Sequence, residues 1–489
     1  MRVGVAETVV RELRGRVPEE RVVHAPEALD VACRVLNAAV GTRPAVLVRC
    51  RNTADVQLAV RAARDAGLPL SVLGRGHDWA GRSLVADGLV LDVRDLRSVV
   101  VDPGTRTARV GGGVSSLDVA AASAGHGLAP VTGWRGDAGL VGLSLGGGYG
   151  PLTGRAGLAA DNLLGALVVL ADGTCVDTDG DPDLLWALRG GGGNFGVVVQ
   201  ARLALHPLRV LVGGTNVYPW TQAPTVLAGL ADLLASAPDE LTVRSGMRRD
   251  RTGRPVVVVQ PVWSGDPATW MDRPGPVPEL AALGTPSGSD VAPVTLVSLL
   301  GDEDRALPTA GARRHELVRT RTLARLDAAA AQALLEAGAT VTSPHSRVWL
   351  HHFHGAADRV DPASSALPLR HPHLVAEVVA GWEEAGRGAL HRAWADRASS
   401  RLSWTALGGG NVNLLGPGQD DLVAGAYGAN TVRLLELKTR YDPEDVFRAT
   451  PLPVGAVGSV GSVGSVGSIG SIGEAVEPVC RLEVGQEQG

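Results

Sequence analysis

Apolar residues in the first two hundred positions alternate between short continuous runs and helix-spaced sets. Pro44-Ala-Val-Leu-Val-Arg49 reads as a strand. Behind an Asn52-Thr53 cap, Val56, Ala59, Val60 and Ala63 then recur at helical spacing until Gly67 stops them. Leu70–Leu73, Leu89–Val93 and Ala108–Val110 continue the strands, and Ser116–Ala124 reads as a helix. Strands and helices mixed in this way predict an α+β or α/β domain over residues 1–207, ending near His206-Pro207.

From Leu208 the apolar runs lengthen. Val210–Val217, Leu241–Arg244, Pro255–Gln260 and Arg347–His352 read as strands, separated by helical runs such as Thr322–Ala337. This pattern predicts an antiparallel sheet with helices on one face, forming a second, substrate-side domain over 208–407. A short closing segment, 408–452, places Val432, Leu435 and Leu437 in a helix that ends at Tyr441-Asp-Pro443. In the remaining 453–489, glycine recurs every third residue from Gly455 to Gly473 within Gly-Ser-Val and Gly-Ser-Ile units. The tract lacks the proline of a collagen repeat and reads as a flexible tail.

At 489 residues the chain is too long for a single hydrophobic core. Its net charge of −5 favours neither nucleic acid nor an anionic membrane as partner. Cys33, Cys50, Cys175 and Cys480 show no C-x-x-C spacing, so neither a disulfide framework nor a zinc site is indicated. The N-terminus lacks the apolar stretch of a signal peptide and no run reaches bilayer length, so a cytoplasmic protein is expected. Oligomeric state is left open.

Three glycine-rich segments carry the chemistry. They are Leu73-Gly-Arg-Gly-His77-Asp-Trp-Ala-Gly81, Leu143-Ser-Leu-Gly-Gly-Gly-Tyr-Gly150 and Trp186-Ala-Leu-Arg-Gly-Gly-Gly-Gly-Asn-Phe-Gly196. Glycine turns the backbone through positive φ and brings its N–H groups close to a ligand, and successive free N–H groups bind anions. Three such loops, with one histidine inside the first, point to a large diphosphate cofactor.

In this order the segments resemble the berberine bridge enzyme family of FAD-linked oxidases, which share a vanillyl-alcohol-oxidase-type fold. The resemblance runs from Pro44 to Leu452. It also takes in Thr132-Gly-Trp-Arg-Gly-Asp-Ala-Gly139, Asp181-Pro-Asp-Leu-Leu-Trp186 and Tyr427-Gly-Ala-Asn-Thr-Val-Arg-Leu434. It implies an α+β architecture: a two-subdomain FAD-binding domain, a substrate domain, and a C-terminal segment returning to the FAD domain. It further implies that His77 carries the flavin covalently, through a neutral ring nitrogen attacking the flavin's 8α carbon. Arg75 and Asp78 are placed to modulate that ring. The cysteine that forms a second flavin bond in many relatives is replaced by Arg135, so a single bond is expected. The matching cofactor-binding positions are Arg75, Gly76, Asp78, Thr132, Gly133, Gly136, Asp137, Gly139, Gly142, Leu143, Gly147, Gly148, Gly150, Gly196 and Val197, with Asn413, Tyr427 and Asn430.

The resemblance also implies a base at Glu377, its pKa raised by burial, taking an O–H or N–H proton as hydride leaves for the flavin. A family tyrosine that serves as base in many members reads Asn411 here. His371 or His373 is expected to assist proton transfer. His351, His352 and His354 suit a pocket lining, with His352 and His354 on one strand face; no metal is expected. Ala138, small where some relatives block oxygen, favours an oxidase giving hydrogen peroxide. The expected substrate is a bulky alcohol, amine or polyphenolic metabolite. Oxidative cyclisation, dehydrogenation to an alkene and a non-catalytic flavin scaffold are the alternatives.

Overall fold

A computed structural model describes residues 2–272, 280, 282–306, 314–448 and 450–453. The Gly455–Gly473 tract and Cys480 lie outside the described residues.

The short apolar runs and the helical spacing near the N-terminus give the elements they predict. Val46–Arg49, Leu89–Asp92 and Leu70–Leu73 are adjacent parallel strands, with Val22–Val23 added antiparallel at one edge. The crossover helix Thr53–Asp65 starts at Asn52, whose side chain accepts the Asp55 N–H. Val56, Ala59, Val60 and Ala63 are wholly buried on its inner face. A second, antiparallel sheet is built on the long strand Val197–Pro207, flanked by Thr107–Gly111 and Leu163–Val169. The closing helices Asp420–Ala426 and Thr431–Tyr441 return to this sheet's core, where Leu422, Leu434 and Leu437 pack with Leu140, Leu184 and Phe195.

The third sheet is ten-stranded and antiparallel. Its centre is formed by Pro255–Trp263, Leu241–Arg249, Arg347–Phe353, His373–Trp382 and His315–Leu323, in that order. Helices Ala223–Ser236, Ala328–Ala339 and Gly388–Leu402 cover one face, joining a core that includes Leu230, Leu334, Trp394, Leu350 and Val378. The opposite face is turned toward the glycine segments.

Two predicted elements are corrected. The helical run does not begin at Thr322: Thr322 and Leu323 belong to strand His315–Leu323, and the helix starts at Ala328 because Asp327 caps it by accepting the Ala330 N–H. The run Val210–Val217 is split into Leu211–Gly213 and Asn216–Pro219 by Gly214, whose φ of +149° breaks the extended backbone. Among the described residues no helix is long and apolar enough to cross a membrane.

Candidate active site

The three glycine segments border one cavity of about 430 Å³. The first follows strand Leu70–Leu73, the second takes in the C-terminal end of helix Leu140–Leu145 and the turn after it, and the third joins helix Pro182–Leu188 to strand Val197–Pro207. The close turn in the second needs Gly148, where φ is +74° and a Cβ would stand 2.7 Å from the Leu143 side chain. At Gly74, Gly142 and Gly193, by contrast, a Cβ would meet no protein atom within 4 Å. Their backbones therefore face open cavity. Arg75, Arg82 and Arg448 stand on the same wall. Arg82 is tied to Asp78 and to the carbonyls of Val412 and Asn413, whereas the Arg75 guanidinium meets no ion-pair partner among the described residues. Bare glycine backbone beside an uncommitted guanidinium fits the diphosphate of FAD.

His77 occupies the first turn. Its Nε2 lies 3.2 Å from Asp137 Oδ1. Arg135 grips the same carboxylate through Nε at 2.9 Å and Nη2 at 2.7 Å. Asp304, on helix Leu296–Ala306, accepts the Gly136 N–H at 3.1 Å and stands 3.6 Å from Arg135 Nε. Burial pushes the Asp137 carboxyl up, but hydrogen bonds from His77 and Arg135 outweigh it and hold the group well below the usual carboxylate range. Asp304 is pushed up to about 6 by burial and by the Asp137 charge beside it. The carboxylate at the His77 ring is thus Asp137, while Asp78 braces Arg82 instead. Cys175 is exposed on strand Cys175–Asp177 and does not border the cavity.

The wall opposite comes from the uncovered face of the ten-stranded sheet. Side chains alternate along a strand, so Arg347, Trp349 and His351 share this face with Arg244 and Glu377 of other strands. His351 Nε2 donates to Glu377 Oε2 at 2.9 Å. The His351 Nδ1 is buried without a partner, which suits a neutral ring protonated at Nε2, and burial holds the imidazole pKa down against the pull of Glu377. Glu377 departs from the expected raised pKa. Burial does push it up, but the His351 hydrogen bond and the charges of Arg347 and Arg244 outweigh burial and hold the carboxyl below its ordinary value. Tyr149 packs edge-on to His351 with ring centroids 4.7 Å apart. Burial and the Glu377 charge push its phenol well above the usual value, so it remains a donor. Arg244 lies between Trp134 and Trp349, 4.2 and 4.5 Å from their ring centroids, and is anchored by Gln260 and Glu303.

Of the other expected residues, Gly76, Gly133, Gly139, Leu143, Gly196, Val197, Asn411 and Asn413 border the cavity. Asn411 Oδ1 accepts the Asn413 N–H, and Asn413 Nδ2 donates to the Leu143 carbonyl. Thr132, Gly136, Gly147 and Gly150 lie behind the wall in the same turns. Tyr427 is wholly buried with its hydroxyl on the Pro451 carbonyl, and Asn430 donates to the carbonyls of Pro362 and Ser365. Tyr427 braces the closing segment internally, Asn430 ties it to the Pro362–Ser365 turn, and neither borders the cavity.

Three histidine expectations are corrected. His371 is exposed, and His373 is stacked on Phe353 at 4.2 Å, so neither stands beside Glu377. Strand parity turns His351, not His352, toward the cavity, and His352 and His354 instead stack on each other at 3.9 Å. Among the described residues no cluster of three or more His, Cys, Asp or Glu could hold a metal ion. Arg244 and Trp349 carry no signature of their own in the sequence, and Tyr149 shows only as a member of the second glycine segment. Stepping back by twos from His351 picks out Trp349 and Arg347 once the inner face is known.

Residues 44–179 match the FAD binding domain family, and residues 411–451 match the family described as berberine and berberine like. The FAD-linked oxidoreductase aurO of Gibberella zeae is 33% identical over 422 residues, covering 85% of this chain and 81% of that protein. The (R)-6-hydroxynicotine oxidase of Paenarthrobacter nicotinovorans is 41% identical over 203 residues, 41% of this chain and 44% of its own. The crystal structure of 6-hydroxy-D-nicotine oxidase from Arthrobacter nicotinovorans matches with a TM-score of 0.79 at 28% identity, covering 88% of this chain and 96% of that one.

Proposed function

The chain belongs to the berberine bridge enzyme-like family of FAD-linked oxidoreductases, and from that premise we propose an oxidase that takes a proton and a hydride from a bulky alcohol, amine or polyphenol. Bound FAD supplies the hydride acceptor, and dioxygen regenerates it with release of hydrogen peroxide. Residues 1–207 and 408–452 hold the cofactor, and 208–407 supplies the substrate wall.

The Glu377 carboxylate carries this reading. It stands inside the cavity, ionised, across from the glycine turns, with one oxygen held by a neutral His351. A fixed carboxylate can take the O–H or N–H proton of a substrate while its C–H faces the flavin side. Asn411 cannot take that proton, since an amide has no basic site near neutral pH. Tyr149 offers a phenolic O–H to the same substrate atom. Trp134 and Trp349 give a planar substrate flat apolar surface. Ala138, small and on the cavity wall, leaves room for dioxygen.

Covalent attachment through His77 alone fits the same site. Asp137 accepts the Nε2 hydrogen and leaves Nδ1 with its lone pair, and among the described residues no cysteine borders the cavity. The free Cys33, Cys50 and Cys175 suit a reducing cytoplasm.

The test is to denature purified protein in acid, then screen the native enzyme against aromatic alcohols and amines, 6-hydroxynicotine among them, for hydrogen peroxide. Yellow colour in the wild-type pellet and none in that of His77→Ala, with peroxide from one substrate class, supports the proposal. A protein that binds FAD yet oxidises nothing in the panel counts against an oxidase.

A further inference from the structure

Four ionisable side chains from three parts of the chain meet behind the first glycine turn. His77 comes from that turn, Arg135 and Asp137 from the loop before helix Leu140–Leu145, and Asp304 from helix Leu296–Ala306. Asp137 faces His77 Nε2 and is held in plane by the two-point grip of Arg135. Asp304 steers Arg135 and pins the backbone between Arg135 and Asp137 through the Gly136 N–H. The approach is close enough that a Cβ at Gly136 would stand 2.7 Å from Asp304 Oδ2.

The consequence is tautomeric. An ionised carboxylate only accepts, so the ring hydrogen goes to Nε2 and the lone pair stays on Nδ1. We propose that Asp137 is the positioning residue that selects the Nδ1-nucleophilic tautomer of His77 for flavin attachment, and that Asp304 holds Asp137 and Arg135 in place from the substrate-side helix. The inference rests on the covalent reading above. Attachment forms one C–N bond from Nδ1 to the 8α carbon and breaks one C–H there. The alkylated ring gives up its Nε2 proton toward Asp137. Two electrons are left in the flavin, and dioxygen takes them with the two protons, as hydrogen peroxide.

The experiment follows attachment, not turnover. Wild type, Asp137→Asn, Asp137→Ala, Asp304→Ala and Asp304→Asn are saturated with FAD and desalted, and samples are quenched in acid over time. Flavin in the pellet is compared with flavin bound before acid. All variants are expected to bind FAD. An amide at 137 can donate to Nε2 and drive the ring hydrogen onto Nδ1, so Asp137→Asn slows attachment at least about a hundredfold, and Asp137→Ala less, about tenfold. Asp304→Ala slows it about tenfold, and Asp304→Asn, which keeps an acceptor for Gly136, slows it less. Wild-type rates in Asp137→Asn, or a slower Asp137→Ala, overturn the tautomer role, and a wild-type rate in Asp304→Ala overturns the supporting one. Should Asp137→Asn bind no FAD, wild-type rates in both alanine variants overturn the proposal. A colourless wild-type pellet instead overturns the covalent reading beneath it.

Discussion

His351 and Glu377 meet on a diagonal between two antiparallel strands. In register Glu377 lies opposite Trp349 and His351 opposite Val375, yet Nε2 and Oε2 are 2.9 Å apart. Residues two apart on a strand share a face, so the diagonal bond keeps both groups on the cavity side. It also fixes the carboxylate with a donor that carries no charge of its own.

Replacing His351 with Phe leaves burial to act on Glu377 against Arg347 and Arg244 alone. The carboxyl then rises. If Glu377 is the base it acts ionised, so wild type is expected to keep its rate down to below the ordinary carboxylate range, whereas the variant loses rate at higher pH. An acid limb moved up by about a unit or more in the pH profile of flavin reduction is the expected result. An unmoved limb contradicts the role given to the pair.

Acid stability is expected to depend on His373. Burial is the main cause holding its pKa down at about 4, from an ordinary 6.5, and His352 is held lower still, at about 2. Both rings are neutral when folded but take protons when unfolded. Stability is therefore full above about pH 6.5 and falls as pH drops toward 4, by about 3 kcal/mol for His373. Urea unfolding at pH 7 and pH 4.5 should show a smaller difference in His373→Leu than in wild type.

Lys438, the chain's sole lysine, is buried where the closing helix meets the third glycine turn. Its Nζ donates to Asp442, to the Asn194 carbonyl at 3.1 Å and to the Phe447 carbonyl at 2.6 Å. Lys438→Met removes the countercharge of the buried Asp442, leaving its carboxylate only the Val446 and Phe447 N–H groups, and should cost about 3–5 kcal/mol, read from denaturant midpoints. Adding Asp442→Leu should recover part of that loss.

Local signals made much of this molecule legible. The Asn52 cap, the helical spacing of Val56 to Ala63 and the turn holding His77 follow from residues within a few positions of one another. The parity of the histidine strand did not, because period two gives two faces without saying which one the helices cover. The start of the helix after Thr322 was hidden by an alanine-rich run whose boundary is set by one cap, Asp327. Contacts made at long range left no local trace: Gly136 and Asp304 are 168 residues apart, and nothing near either announces the other. Tyr149 lay in plain view inside the glycine run, but its packing partner His351 is supplied by another sheet.

The role proposed for Glu377 is that of base in a flavin-linked oxidation. It is tested most directly by mixing wild type and Glu377→Gln anaerobically with the substrate found in the panel and following loss of flavin absorbance. The variant is expected still to bind substrate but to bleach about 10²–10⁴-fold more slowly. Bleaching at the wild-type rate would contradict it and move the base elsewhere on the cavity wall.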